Sequence, residues 1–266
     1  VRDQRPDLHE KVKDGDITIS QAKTEMRRDT KRKELEEKAK QAKAETADQP
    51  EWLLIHDDVM AGLGSGRDHH GPARLFFTDP PYNIGIEYGD HHDDSMTDSE
   101  LDHWCHAWIG KCRDCLTDDG SLWVMINDRY AADIVMSHRD HRLTMRAWIN
   151  WYESFGVNCS NNFNRTSRHI LYFVMDPDSF VFNETAVLRP SDRQTKYGDK
   201  RAQSGGKILD DVWQFPRLAG TAKERIPDVP TQLPLDLVKR IVGVASEPGD
   251  LVIDPFNGSG TTGVAA

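Results

Sequence analysis

Cysteine is scarce in this sequence. There are four in 266 residues (Cys105, Cys112, Cys115 and Cys159), three of them bunched together. So few thiols exclude a disulfide framework in a chain of this length and imply a reduced, cytoplasmic setting. Long apolar runs are also lacking. None approaches the roughly 20 residues needed to cross a bilayer, so no membrane association is expected. No secretory leader is visible. The chain opens on Val1 and stops at Ala266 in mid-pattern, so a longer parent protein is expected at both ends. Positive charge is in deficit, with 34 Lys and Arg against 44 Asp and Glu and a formal net charge of −10. That balance argues against indiscriminate binding of polyanions over the whole surface but leaves room for a local basic groove. Arg189, Arg193, Lys196, Lys200, Arg201 and Lys207 form such a stretch, interrupted by Asp192 and Asp199. It reads either as a solvated loop or as a phosphate-contacting segment.

Residues 1–48 are polar and helix-prone. A short helix is expected over Asp7–Asp14, ended by Gly15, and a longer one capped by Ser20. Asp48, Gln49 and Pro50 read as a linker, which makes 49–266 the main domain. There the character changes. Short apolar runs at Trp52–Ile55, Arg74–Thr78, Ser121–Ile126, His169–Met175 and Asp250–Ile253 alternate with helical spacing at Ser99–Leu116 and Leu235–Ala245. That alternation predicts an α/β fold with a mostly parallel sheet and helices on both faces. Ligands in such folds sit at the carboxyl ends of strands.

Two strand ends carry chemistry. Thr78-Asp79-Pro80-Pro81-Tyr82-Asn83 follows the apolar run Leu75-Phe76-Phe77. Two prolines stop a strand because neither donates to the ladder. The resulting rigid turn presents the Asp79 carboxylate, the Pro80 carbonyl and the Tyr82 ring. Two acceptors beside a flat aromatic suit an exocyclic amine on a ring. The acceptors pull on the N–H groups and free a lone pair otherwise delocalised into that ring. The second strand end is Asp254-Pro255-Phe256-Asn257-Gly258-Ser259-Gly260-Thr261-Thr262-Gly263, after Leu251-Val252-Ile253. It reads as strand, glycine-rich turn and helix start, where backbone approaches a ligand closely and a carboxylate is favoured. Its spacing matches neither the dinucleotide fingerprint nor the Walker loop.

Together, in this order, these motifs resemble the beta class of S-adenosylmethionine-dependent DNA amino-methyltransferases, which act on adenine N6 or cytosine N4. The resemblance covers roughly Trp52 to Ala266 and implies a Rossmann-like fold with permuted motif order. It implies catalysis by Asp79, Pro80, Pro81 and Tyr82. It also implies S-adenosylmethionine binding by Asp254, Pro255, Phe256, Gly258, Gly260, Thr261 and Thr262. Pro230-Thr231-Gln232-Leu233-Pro234 resembles the family's PTQKP element, adding Thr231 and Gln232 to the cofactor set, with leucine in place of the usual lysine. Leu54-Ile55-His56-Asp57-Asp58 resembles a strand whose terminal acid, Asp58, approaches the cofactor's adenine. The family's ribose-binding acid would lie on a strand beyond Ala266, so the sequence as it stands is expected to bind cofactor poorly. Residues about 154–225 are the expected target-recognition insertion. Arg165, Arg193, Lys196, Lys200 and Arg201 would meet double-stranded DNA, and Asn161–Thr166 read base edges or form an irregular loop. A homodimer and a cognate restriction nuclease are further implied partners. Arg5-Pro6-Asp7-Leu8 and Asp14–Ala22 resemble the tail of a ParB-like module.

Serine more often stands at the Asp79 position in cytosine-N4 enzymes, so adenine is favoured. No cysteine sits in the proline-cysteine loop that cytosine-C5 chemistry needs. A protein-glutamine methyltransferase places its glycine loop before the NPPY-type turn, the reverse of the order here. A silent DNA-binding relic is the reading from another class, and intact Asp79, Pro80 and Tyr82 argue against it. His103, Cys105, His106, Cys112 and Cys115 crowd one segment. That segment reads as one helix, whereas structural zinc takes a tetrahedral set, so no metal is expected.

Overall fold

The computed structural model describes residues 5–45, 52–63, 71–86, 94–201, 205–219, 222–226 and 231–266. The expected linker at 48–50 and Pro230 lie outside them. Helices α1 (Pro6–Lys13), α2 (Ile19–Glu45) and α3 (Val59–Gly62) come first. Then follow β1 (Ala73–Thr78), α4 (Asp98–Asp114), β2 (Leu116–Ile126), α5 (Ala131–Asp140), β3 (Thr144–Val157) and β4 (Arg165–Val174). Short pieces β5 (Leu188–Arg189), α6 (Asp192–Thr195), β6 (Lys207–Ile208) and β7 (Val212–Gln214) precede α7 (Leu235–Ala245), β8 (Val252–Ile253) and α8 (Thr261–Ala265). No helix among the described residues is long and apolar enough to cross a membrane.

The chain divides into two units: 1–49 with 183–210 and 247–249, and 50–182 with 211–246 and 250–266. The larger unit is built on a six-stranded sheet in the order β7-β3-β4-β2-β1-β8. The pairs β1–β2, β1–β8 and β3–β7 are parallel, and β4 runs antiparallel to both β2 and β3. The sheet is therefore mixed but mostly parallel. Leu75, Phe76, Phe77 and Thr78 are all fully buried. Successive strand residues point to opposite faces, so both faces of β1 are covered. Neighbours on β4 identify the covers. His138 of α5 stacks on Phe173 at 4.5 Å. Tyr172 stacks on Trp123, which lies 6.3 Å from Trp213, and Arg240 of α7 sits 5.0 Å over the Trp213 ring. Helices thus lie on both faces. α4 begins at a capping box between Thr97 and Glu100, and it buries Leu101, Cys105, Trp108, Ile109 and Cys112 along one stripe.

Phe173 has no exposure and lies in the middle of this core. Phe173→Ala should destabilise the protein by about 3–5 kcal/mol, read as a lower urea midpoint at unchanged slope.

The smaller unit buries Leu8 and Ala22 where α1 meets α2, and pairs β5 with β6 as an antiparallel ribbon. Several expectations change here. The cap of α2 is Thr18, not Ser20. Its hydroxyl accepts from Gln21 N at 3.2 Å while Gln21 Oε1 accepts from Thr18 N at 2.7 Å, a reciprocal pair that Ser20 lacks. The described part of 1–48 falls in one compact unit with 183–210. Within the expected insertion 154–225, β4 and β7 belong to the central sheet. Trp52–Ile55 forms no strand, and Trp52, Leu53, Leu54 and Ile55 are exposed. Apolar composition alone makes no strand where backbone groups find no ladder to join.

Candidate active site at adjoining strand ends

β1 and β8 run side by side, with Leu75 opposite Val252 and Phe76 opposite Ile253. The turns that leave them are therefore neighbours. At the end of β1, Pro80 and Tyr82 are buried and Asp79 and Pro81 half-buried. The Tyr82 hydroxyl donates to Asp79 Oδ1. Asn83 takes a left-handed conformation (φ 53°), which asparagine tolerates better than most residues. Its amide donates to Met96 O at 2.8 Å and to the Tyr130 hydroxyl at 3.1 Å. Asn127, just past β2, donates to Tyr82 O at 3.3 Å.

The loop after Tyr82 is pinned by a residue that the sequence reading did not single out. Asp94 is 4% exposed, and its carboxylate accepts from the backbone N–H groups of Asn83 (2.7 Å), Ile84 (3.0 Å) and Ile86 (2.8 Å). Removing that carboxylate leaves three donors short of a partner. Asp94→Ala should therefore cost at least about 2 kcal/mol in chemical denaturation.

At the end of β8, Asp254 accepts from Phe256 N at 3.0 Å and from the Thr262 hydroxyl. One carboxylate thus ties both ends of the glycine-rich loop. Gly258 (φ 51°) and Gly260 (φ 77°) are left-handed, and a Cβ at either would meet nothing closer than 3.8 Å. The loop backbone therefore has open space against it, as a ligand needs. Trp104 and Trp108 of α4 pack edge-on against Phe256 at 5.4 and 5.5 Å.

The two turns meet electrostatically. Burial pushes Asp79 up to about 6, against the pull of Arg168 and of the Tyr82 hydroxyl. Burial pushes Asp254 up to about 7, opposed by its hydrogen bonds from Thr262 and Phe256 N, with the Asp79 charge adding to the rise. Tyr82 is raised well above the ordinary range, by burial first and then by Asp79. Arg168 on β4 reaches this cluster because its strand is antiparallel to β2. His169 pairs with Ile126, so Arg168 falls at the carboxyl edge of β2. Its Nε donates to Glu153 at 2.7 Å, and its Cζ lies 5.6 Å from the ring centroids of both Tyr82 and Trp151. The sequence signal available was Glu153, a carboxylate two residues after Trp151 in a largely apolar run, and its burial is visible only in the fold.

The other expected site residues are placed less centrally. Asp58 is exposed and caps the four-residue α3, accepting from Met60 N at 2.8 Å. Thr231 is exposed. Gln232 bridges a turn, accepting from Ile226 N and donating to Glu224 O. Arg165 opens β4 and is exposed. Arg193, Lys196, Lys200 and Arg201 belong to the smaller unit and are exposed, with Lys196 paired to Asp192 and Arg201 to Asp199. Among the five crowded His and Cys residues, Cys105 and Cys112 face the core of α4 and Cys115 is its C-cap.

Comparison with known proteins places this geometry. A family model described as DNA methylase (N6_N4_Mtase) matches residues 73–266. The chain is 31% identical over 188 residues to the type II methyltransferase M.HpaI of Haemophilus parainfluenzae, covering 70% of this chain and 58% of that protein. It is 33% identical over 228 residues to the DNA adenine methyltransferase YhdJ of Escherichia coli (strain K12), covering 80% of this chain and 74% of that one. Among solved structures, PvuII DNA methyltransferase (cytosine-N4-specific) superposes with a TM-score of 0.61 at 17% identity, covering 79% of this chain and 76% of that one. The M1.HpyAVI–SAM complex superposes at 0.52 and 18% identity, over 79% and 84% of the two chains. These two likenesses establish a Rossmann-like methyltransferase fold.

Proposed function

The chain belongs to the DNA methylase family whose model it matches, and from that premise we propose that it methylates the N6 amine of adenine in double-stranded DNA, with S-adenosylmethionine as donor. One observation carries the reading. The Asp79–Tyr82 turn and the glycine-rich loop end on neighbouring strands, close enough for their carboxylates to interact. The adenine activity in the name of YhdJ and the aspartate at position 79 favour adenine over cytosine.

Asp254, Phe256, Gly258, Gly260, Thr261 and Thr262 would hold the cofactor, with Pro255, Thr231, Gln232 and Asp58 as further members of the set. When bound, S-adenosylmethionine supplies an electrophilic methyl group. The chain's own task is to prepare the amine. A flipped-out base is presented to the strand end. The Asp79 carboxylate and the Pro80 carbonyl accept from its N–H groups and concentrate the lone pair on nitrogen. Tyr82 stacks against the ring. Orientation and fixed acceptors, not a covalent intermediate, lower the barrier. Only the ionised carboxyl of Asp79 accepts fully. With Asp79 near 6, transfer should fall as pH drops through that range. Arg165, Arg193, Lys196, Lys200 and Arg201 supply phosphate contacts, some by exchanging an acidic partner for DNA.

The test uses the full chain, methyl-labelled S-adenosylmethionine and mixed-sequence duplex DNA. The DNA is digested and the labelled nucleoside identified. Label in N6-methyladenine supports the proposal. Label in N4-methylcytosine keeps the chemistry and replaces the base. No label in DNA, with cofactor demonstrably bound, overturns the reading.

A further inference from the structure

One half-buried cation beside the Asp79–Tyr82 turn has no part in the mechanism above. Arg168 is held from behind by Glu153, whose side chain is 7% exposed, through a 2.7 Å contact to Nε. Trp151 stands directly opposite Arg168 in the β3–β4 ladder, and Glu153 lies two residues further on the same face. The guanidinium is thus fixed on three sides, by Glu153, by the Trp151 ring and by the Tyr82 ring. The Tyr82 ring is 9% exposed and its hydroxyl is engaged by Asp79, the same carboxylate that must accept the amine. A base that stacks on Tyr82 and donates to Asp79 shares the carboxylate with the Tyr82 hydroxyl, which holds only Oδ1. A third partner that holds the carboxylate and the ring in place would keep both aimed at it.

We propose that Arg168 is a positioning residue for methyl transfer. Locked by Glu153, it keeps Asp79 and Tyr82 aimed at the target amine as that amine takes its place on the carboxylate, and it keeps a positive charge opposite the carboxylate. The assignment rests on the function proposed above. A guanidinium suits the task better than an ammonium. It stacks on a ring while directing several donors in a fixed fork, one of them already committed to Glu153. The charged and titratable groups facing Asp79 are Tyr82 from its own turn, Arg168 from β4 with Glu153 of β3 behind it, and Asp254 from the end of β8. Arg168 is the cation among them. Its loss leaves Asp79 with burial, which favours the protonated form, opposed by the Tyr82 hydroxyl alone.

The experiment compares wild type, R168K, R168M and E153Q in the full chain. Methyl transfer is followed from pH 5 to about 9, with KM for cofactor and kcat separated. The Asp79 carboxyl is titrated independently by carbon NMR, assigned with Asp79→Asn. R168M should lose about 100-fold in kcat at unchanged KM for S-adenosylmethionine. Its acid limb and the Asp79 titration should both move up by about 1 pH unit. R168K should restore the acid limb while recovering only part of kcat, because it returns the charge without the fork. E153Q should lower kcat with a smaller movement of the limb. If R168M fails to fold, E153Q carries the titration test and R168K the split between charge and fork, because a merely structural role moves no limb. An unmoved Asp79 titration in R168M, or in E153Q where R168M does not fold, overturns the proposal. A wild type that binds cofactor yet labels no DNA sinks the function reading instead, and the carboxyl titration still decides Arg168.

Discussion

Asp79→Ala should lower methyl transfer to DNA at least about 100-fold while leaving S-adenosylmethionine affinity within about 2-fold, well under the 1.4 kcal/mol of a tenfold change. The carboxylate sits on the β1 turn, whereas the glycine-rich loop that would hold cofactor hangs from β8 and is closed by its own hydrogen bonds through Asp254. Loss of Asp79 removes an acceptor for the amine and does not untie that loop. Asp79→Asn separates charge from shape. It keeps one carbonyl acceptor but adds N–H donors, so it should remain strongly impaired. Its stability should change the other way. Asp79 is raised in the folded protein, to about 6 from an ordinary 3.8, so ionising it there is penalised. The penalty is absent below the unfolded value, grows between the two, and is complete above about 6. Asp79→Asn should therefore raise the urea midpoint at pH 8 and leave it nearly unchanged at pH 3.5. A variant less active and more stable is the signature of a functional carboxylate held at a cost to the fold. Equal loss of activity and stability would point to a structural role.

Gly260→Val should weaken S-adenosylmethionine binding by at least about 10-fold, read by titration calorimetry, with the fold retained. Gly260 caps α8 at φ 77°, a conformation that a β-branched residue adopts only at a cost of about 1–3 kcal/mol. The space around it is open, with the Asn257 amide nitrogen 3.8 Å from an added Cβ, so the added side chain causes strain rather than a clash. The loop would relieve that strain by shifting, which would move the backbone proposed to face the cofactor. Gly263 is the control. It lies within α8 with nothing within 4 Å of an added Cβ, and Gly263→Ala should leave affinity unchanged. Equal losses at the two positions would mean that helix content, not the left-handed turn, sets binding.

Much of this site was readable because its chemistry is local in sequence. Asp79 to Tyr82 and Asp254 to Thr262 each follow an apolar strand, and the prolines and glycines that shape the two turns are themselves sequence signals. Leu235–Ala245 showed its helix through periodicity and folds over that span. What escaped depends on register. Arg168 enters the site only because β4 runs antiparallel to β2, and a chain read one strand at a time does not disclose that pairing. The same holds for Asp94, which acts on Asn83, Ile84 and Ile86 across a loop. Strand β3 could have been seen, since Ile149 and Trp151 are buried while Trp148 and Tyr152 are exposed, a period-two pattern. The opposite error at Trp52–Ile55 came from trusting apolar composition where no ladder forms. The split of the chain was least legible, because residues 183–210 join 1–49 through contacts between distant parts of the sequence.

The central claim is that one site, at the adjoining ends of β1 and β8, holds both the methyl donor and the groups that prepare the amine. Ultraviolet cross-linking of methyl-labelled S-adenosylmethionine, followed by peptide mapping, tests it most directly. The account requires the label in residues 79–83 or 254–262, suppressed by excess unlabelled cofactor and weakened in Gly260→Val. Competable label confined to peptides remote from both turns would contradict it.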